Sequence, residues 1–179
     1  HWAFEFPRLR VPERSQRVIA AHTGCTILLN KRRFGPSQVI RCFDPQLVKD
    51  KLIVGRVGGI RVQSGLHDLL FVVMYFPLPS NPKFIAIVLK MIEWYSETLC
   101  AAGTRTTPYT LMDVNDGAGL QKLPDGSWVH SLTHLVGNYQ RSREGFAMKN
   151  LREVLEPHSQ ALINTHFDAG STYFHHDHS

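Results

Sequence analysis

"LLFVVMYFPLPSNPKFIAIVLKMIEWYSETLC", residues 69–100, changes its period halfway, and that change decides the fold class. Leu69 to Phe76 is almost uniformly apolar, the pattern of a central strand covered on both faces. Pro77 then turns the chain out of it. From Pro82 onward Phe84, Ile87, Val88, Met91, Trp94 or Tyr95, and Thr98 recur at helical spacing along one stripe. Asn81 is placed to cap this helix and Pro82 to occupy its first position. A buried strand feeding an amphipathic helix is the repeating piece of an α/β protein.

The next apolar run lies in "TPYTLMDVNDGAGL", residues 107–120. It ends abruptly in Asp113, Val114, Asn115 and Asp116. In an extended chain residues i and i+2 share a side, so Asp113 and Asn115 face one way while Val114 turns back to the interior. A carboxylate beside an amide that both donates and accepts suits a metal-bound phosphate, or a water aimed at one. The same residues also suit a plain turn ahead of Gly117 and Gly119. Tyr75 carries the one hydroxyl of the 69–76 run, at its carboxyl edge. Ligands of α/β sheets gather beyond the carboxyl ends of strands. If the two strands lie side by side, Tyr75, Asp113 and Asn115 meet at one pocket; otherwise Tyr75 is a core tyrosine with its hydroxyl satisfied at the rim.

Working outward, Cys25 to Leu29 reads as a strand closed by Asn30 and the basic turn Lys31-Arg32-Arg33. Leu52 to Val62 reads as a strand with a weak middle at Gly58-Gly59, joined by the hairpin-like "SGLHD" to the 69–76 run. Residues 1–20 read as irregular and 116–140 as loop-rich. "SREGFAMKNLREVLEP" reads as a second helix, capped by Ser142 and stopped by Pro157. "QALINTHF" reads as a short strand, and "STYFHHDHS" as the start of a further element.

The 179 residues suffice for one domain with a substantial core, and 43% hydrophobic with 20% charged residues is ordinary globular composition. No apolar run reaches membrane-spanning length, and no charged-then-apolar leader is present. Cys25, Cys42 and Cys100 are odd in number and widely spaced. They read as reduced thiols in an intracellular protein, nuclear or cytoplasmic. A net charge of +5 fits a polyanionic partner. Arg8, Arg10, Arg14, Arg17 and Lys31-Arg32-Arg33 hint at a basic patch. In "HHDHS" neighbouring side chains alternate in direction, so His175, His176, Asp177 and His178 do not make a single zinc site. His130 and His134 read as loop residues. The start at His1 and the stop at Ser179 read as cut ends.

Taken in order, four of these segments resemble the endonuclease/exonuclease/phosphatase superfamily, which includes DNase I, apurinic/apyrimidinic endonucleases and non-LTR retrotransposon nucleases. "GCTILLNK" is similar to the strand after the family's glutamate motif, and "LFVVMYFPLPSN" to its v-x-Y-x-P strand, with Tyr75 as the tyrosine. "TLMDVND" resembles its G-D-x-N motif, with Met112 in place of the glycine. "INTHFDAGSTYF" is similar to the N-T-x-F…T-W/Y segment, through Asn164, Thr165, Phe167, Thr172 and Tyr173. The resemblance covers residues 20–179. It implies an α/β, four-layer sandwich of the DNase I type, incomplete at both ends, as a single domain fragment over residues 1–179. It also implies a Mg²⁺-dependent phosphodiesterase acting on nucleic acid, DNA ahead of RNA, with no membrane partner.

By the same resemblance Asp113 orients or deprotonates the attacking water and Asn115 holds phosphate or water. Tyr75 hydrogen-bonds a phosphoryl oxygen, Asp113 and Asn115 are the metal ligands present, and Thr172 and Tyr173 contact substrate. The family's metal-binding glutamate has no counterpart in residues 1–20, where Glu5 and Glu13 lack the strand context. Asp177-His178 comes too early to be the closing aspartate–histidine pair. The ligand set is therefore incomplete, and whether the chain itself is an enzyme stays open. A non-catalytic remnant of the domain, and a phosphatase of the same fold acting on inositol phosphates or phospholipids, are the other expectations.

Overall fold

The computed structural model describes residues 1–6, 24–46, 51–130, 134–139 and 141–166. The protein is a mixed α/β chain with several sheets and, among the described residues, two α-helices. It divides into two compact units, His1–Asn115 and Asp116–Ser179.

The first unit is built around a four-stranded sheet in the order β3-β4-β5-β6: Val39–Phe43, Val57–Ser64, His67–Tyr75 and Thr107–Asp113. β4 and β5 form an antiparallel hairpin closed by Gly65 and Leu66, with Gly65 at φ 58, a conformation that glycine adopts without steric cost. β5 and β6 are parallel. Parallel neighbours need a long crossover, and helix α1, Phe84–Ala102, supplies it. β6 ends the sheet. The Asp113 carbonyl accepts the Phe76 N–H at 2.9 Å, so alternate residues including Pro108 turn their backbone to the open edge, where a missing N–H loses no ladder bond.

Alternation assigns each face of β5 a cover. Leu70, Val72 and Met74 are buried on the side of α1, whose Tyr95 hydroxyl meets Thr110 Oγ1 of β6 at 2.8 Å. Burial pushes the Tyr95 hydroxyl above its ordinary pKa, with the Thr110 bond acting weakly the other way. On the opposite face Phe71 and Val73 pack against a cluster of Phe6, Leu29, Ile60 and Val62. Phe6 and Leu29 come from a second, two-stranded sheet, β1 (Trp2–Phe6) antiparallel to β2 (Cys25–Leu29). Helix, sheet and sheet therefore lie in that order, and the expected double cover of the 69–76 run is present. At Gly58 the sheets leave no room for a side chain: a Cβ there would lie 2.1 Å from the Phe6 ring.

The second unit holds the sheet β8-β7-β9, made of Trp128–His130, Gly119–Lys122 and Ser142–Arg143, and helix α2, Phe146–Leu155. Its cap is remote. Asp116 accepts the Gly145 N–H at 2.8 Å and the Met148 N–H at 2.9 Å, two donors that the first turn leaves unsatisfied. Glu144 accepts the Gly119 N–H at 2.8 Å and pairs with the buried Arg152 guanidinium.

Several expectations need correction. Residues 2–6 form β1, because the alternating Trp2-Ala3-Phe4-Glu5-Phe6 finds a partner in β2. The strand expected from Leu52 starts only at Val57; residues 51–56 are turns, with Gly55 at φ 77. β3 and the small strands β7, β8 and β9 had no sequence signal strong enough to mark them. Ser142 lies in β9 and does not cap α2. Asn81 closes the turn before α1 by accepting the Lys83 N–H at 2.9 Å, and the helix itself starts at Phe84. In place of the short strand expected over residues 160–167, Leu162 makes a single β-bridge to Val136 and Ile163–Thr165 is a 3₁₀ turn, in which the Thr165 N–H and hydroxyl both donate to the Leu162 carbonyl, at 2.9 and 2.6 Å. The "HHDHS" tail and Arg8, Arg10, Arg14 and Arg17 lie outside the described residues. No helix among the described residues is long and apolar enough to cross a membrane.

Two outcomes follow for the first unit. Gly58→Ala should lose about 1–3 kcal/mol in chemical denaturation, since the methyl group must displace the Phe6 ring. Arg61 Nε donates to Asp68 Oδ1 at 2.8 Å, and this guanidinium holds the Asp68 carboxyl below its ordinary pKa. The pair's contribution is complete above the unfolded value of about 3.9 and fades as pH falls through the lower folded one. Asp68→Asn should therefore cost up to about 1 kcal/mol at neutral pH, and the gap to wild type should narrow in denaturation as pH falls below the ordinary carboxylate range.

Candidate functional site

Tyr75 and Asp113 are the last residues of β5 and β6, and the parallel register places them directly opposite each other. Both lie on the sheet face away from α1, and both are exposed, Tyr75 by 46%. The sequence placed them together, and the sheet does so. Arg56 lies beside them: its guanidinium sits 5.9 Å from the Tyr75 ring centroid, and it donates to the Tyr75 carbonyl at 3.4 Å. The Arg56 carbonyl also accepts the Tyr75 N–H at 2.8 Å. This arginine carried no motif, so sequence reasoning passed over it. Its signal was only its place at the entry to β4.

Asn115 is arranged differently from the expectation. Two residues past Asp113 would share its side only if the strand continued, and the strand stops at Asp113. Asn115 adopts φ 52, the left-handed conformation that asparagine tolerates better than most residues. Its N–H bonds Asp113 Oδ1 at 3.2 Å, closing an Asx turn, and its Nδ2 donates to the Phe76 carbonyl at 2.8 Å. The turn and the proximity to Asp113 thus coexist. Asn115 ties the chain leaving β6 to the chain leaving β5. Its Oδ1 and second amide hydrogen are what it has left for a ligand.

Magnesium needs about six oxygen ligands in near-octahedral order. One carboxylate from Asp113 and one amide oxygen from Asn115 do not make that set. Among the described residues no group of three or more His, Cys, Asp and Glu side chains gathers. These residues by themselves do not fit the ion. The expected substrate contacts Thr172 and Tyr173, and Phe167, lie outside the described residues. Asn164 and Thr165 fall in the second unit, where the Thr165 hydroxyl accepts the Gly137 N–H at 2.8 Å and so has a structural partner.

A separate groove of about 510 Å³ lies in the first unit between β3 and α1, lined among others by Arg41, Phe43, Lys90, Glu93, Trp94 and Glu97. None of Tyr75, Asp113 or Asn115 lines it. Lys90 and Glu93 pair with each other at 2.6 Å. Burial raises the Cys25 and Cys42 thiols above the ordinary cysteine pKa, which disfavours their thiolate forms.

No family model matches the chain, and neither a curated protein nor a solved structure matches it.

If Asn115 is held as described, Asn115→Ala should cost about 1–2 kcal/mol, combining a lost hydrogen bond with a strained φ. Asn115→Gly, which removes the bond but relieves the strain, should cost less. Urea denaturation of the two variants checks the order.

Proposed function

We propose that this chain carries the central strands of a divalent-metal-dependent phosphodiesterase that hydrolyses nucleic acid, with DNA as the preferred substrate. The observation that carries this reading is the in-register, exposed Tyr75–Asp113 pair at the carboxyl ends of two parallel neighbours. The motif order along the chain supports it too. The fold that goes with it is a four-layer DNase I-like sandwich, and the helix–sheet–sheet layering of the first unit supports that part. A nuclear or cytoplasmic setting accompanies the substrate.

Phosphodiester hydrolysis depends on positioning the water and neutralising developing charge. Asp113 Oδ1 is engaged by the Asn115 N–H, which fixes the carboxylate and leaves Oδ2 to accept a hydrogen from the attacking water. The exposed Tyr75 hydroxyl donates to a phosphoryl oxygen. Arg56, stacked near that ring, brings positive charge to the same edge. A bound divalent cation would supply charge neutralisation, and it requires acidic ligands beyond Asp113 and Asn115. The single carboxylate also favours a second reading, a domain that binds nucleic acid without cutting it.

Plasmid nicking separates the two readings. The 179-residue chain should show little Mg²⁺-dependent cleavage. A chain that also carries an upstream glutamate motif and a downstream aspartate–histidine motif should cut, and EDTA should stop it. Loss of one charge-stabilising group commonly costs on the order of 10²–10³ in rate. In the cutting chain Asp113→Ala should abolish nicking while leaving the fold intact, because the side chain is exposed. Robust EDTA-sensitive nicking by the short chain, or unchanged nicking by the Asp113→Ala variant, would overturn the assignment.

A further inference from the structure

The small sheet of the second unit gathers positive charge that the sequence spreads over more than twenty residues. In the β8-β7-β9 register Lys122 faces Trp128, and Leu120 faces His130 on one side and Arg143 on the other. Residues opposite each other, and residues two apart in a strand, share a face. Lys122, Trp128, His130 and Arg143 therefore lie on one face of this sheet. The Arg143 guanidinium sits 5.0 Å from the centroid of the Trp128 ring. Lys122, His130 and Arg143 are exposed, and Trp128 is half-buried.

A fourth basic group is built in. Arg141 donates through Nε to the Gly137 carbonyl, through Nη2 to Asn138 Oδ1 and through Nη1 to His130 Nδ1, each at 2.7 Å. A guanidinium only donates, so His130 Nδ1 accepts and the ring hydrogen sits on Nε2. That nitrogen is left as a donor. Of the acidic side chains nearby in sequence, Glu144 is paired with Arg152, and Asp125 accepts from Ser127 N at 2.9 Å and Ser127 Oγ at 2.7 Å in the turn after β7.

The geometry points to this face as a docking surface for the phosphodiester backbone of nucleic acid. Arg143 lies over the Trp128 ring and can fork its N–H groups onto one phosphate. Lys122 serves as a flexible point charge for a second phosphate, and His130 Nε2 as a further donor on the same face. The contact proposed is with the phosphodiester backbone, which positions a strand and carries no sequence information directly. The inference rests on the proposed nucleic-acid substrate and assigns where that substrate is held outside the Tyr75–Asp113 edge.

The test is fluorescence anisotropy of the 179-residue chain with a labelled DNA oligonucleotide, run at several salt concentrations. Lys122→Ala/Arg143→Ala should weaken binding by about tenfold or more at low salt and lower the salt slope by about 2, one for each phosphate contact removed. Lys122→Arg/Arg143→Lys should keep the slope. Lys83→Ala/Arg105→Ala, an equal charge loss from exposed positions of the first unit, should change affinity far less. Circular dichroism confirms that all three variants fold. Equal losses in the two alanine pairs would overturn the docking surface in favour of bulk charge. Competition by polyglutamate as strong as by DNA would overturn it in favour of an acidic protein surface. Wild-type chain that binds no DNA would overturn it together with the nucleic-acid substrate. A cutting chain that fails to nick while this face still binds would remove only the catalytic reading.

Discussion

The parallel pairing of β5 with β6 is the constraint on which the first unit depends. Parallel strands cannot be joined by a tight turn, so the chain between them must cross over, and the residues that cross form α1. Once α1 lies on one face, Leu70, Val72 and Met74 are committed to it, and Phe71 and Val73 must find another cover. The β1–β2 sheet is that cover. The same register sets Tyr75 opposite Asp113, because both strands run in the same direction and stop at the same level.

What happens past that level is local chemistry. Asp113 and Asn115 could have formed a simple turn with no further consequence. Here the turn also reaches across the sheet: the Asn115 amide holds the Phe76 carbonyl, and the Asp113 carbonyl holds the Phe76 N–H. Both exits are therefore fixed relative to each other by backbone-scale bonds. On the proposed reading, a carboxylate and a phenol acting on one phosphate would gain from such a frame, since misplacement by about 1 Å is enough to lose two orders of magnitude in rate.

The elements legible in the sequence were those whose signal is local. The uniform run 69–76, the helical stripe from Phe84 and the Cys25–Leu29 strand closed by Asn30 each carry their own pattern. β1 was missed because its partner lies beyond residue 20, and five alternating residues say little without one. The cap of α2 was misplaced for the same reason. Ser142 is near in sequence, but Asp116 is the carboxylate that reaches the helix N–H groups. Within the candidate site, the Tyr75–Asp113 pairing followed from where two strands end, a rule that survives ignorance of detail. The orientation of Asn115 did not, because i, i+2 alternation holds only while the chain stays extended. The Lys122–Arg143 face was invisible for a different reason: only the strand register assembles it.

On the proposed reading Tyr75 and Asp113 act together on a single phosphodiester. That reading is tested most directly by single-turnover cleavage with the cutting chain, comparing Tyr75→Phe, Asp113→Asn and the double variant. The account predicts that each single change slows the chemical step, and that the double variant is about as slow as the worse single one, because residues that work as a unit are not additive. A Tyr75→Phe rate equal to wild type, or losses that multiply in full, would contradict it.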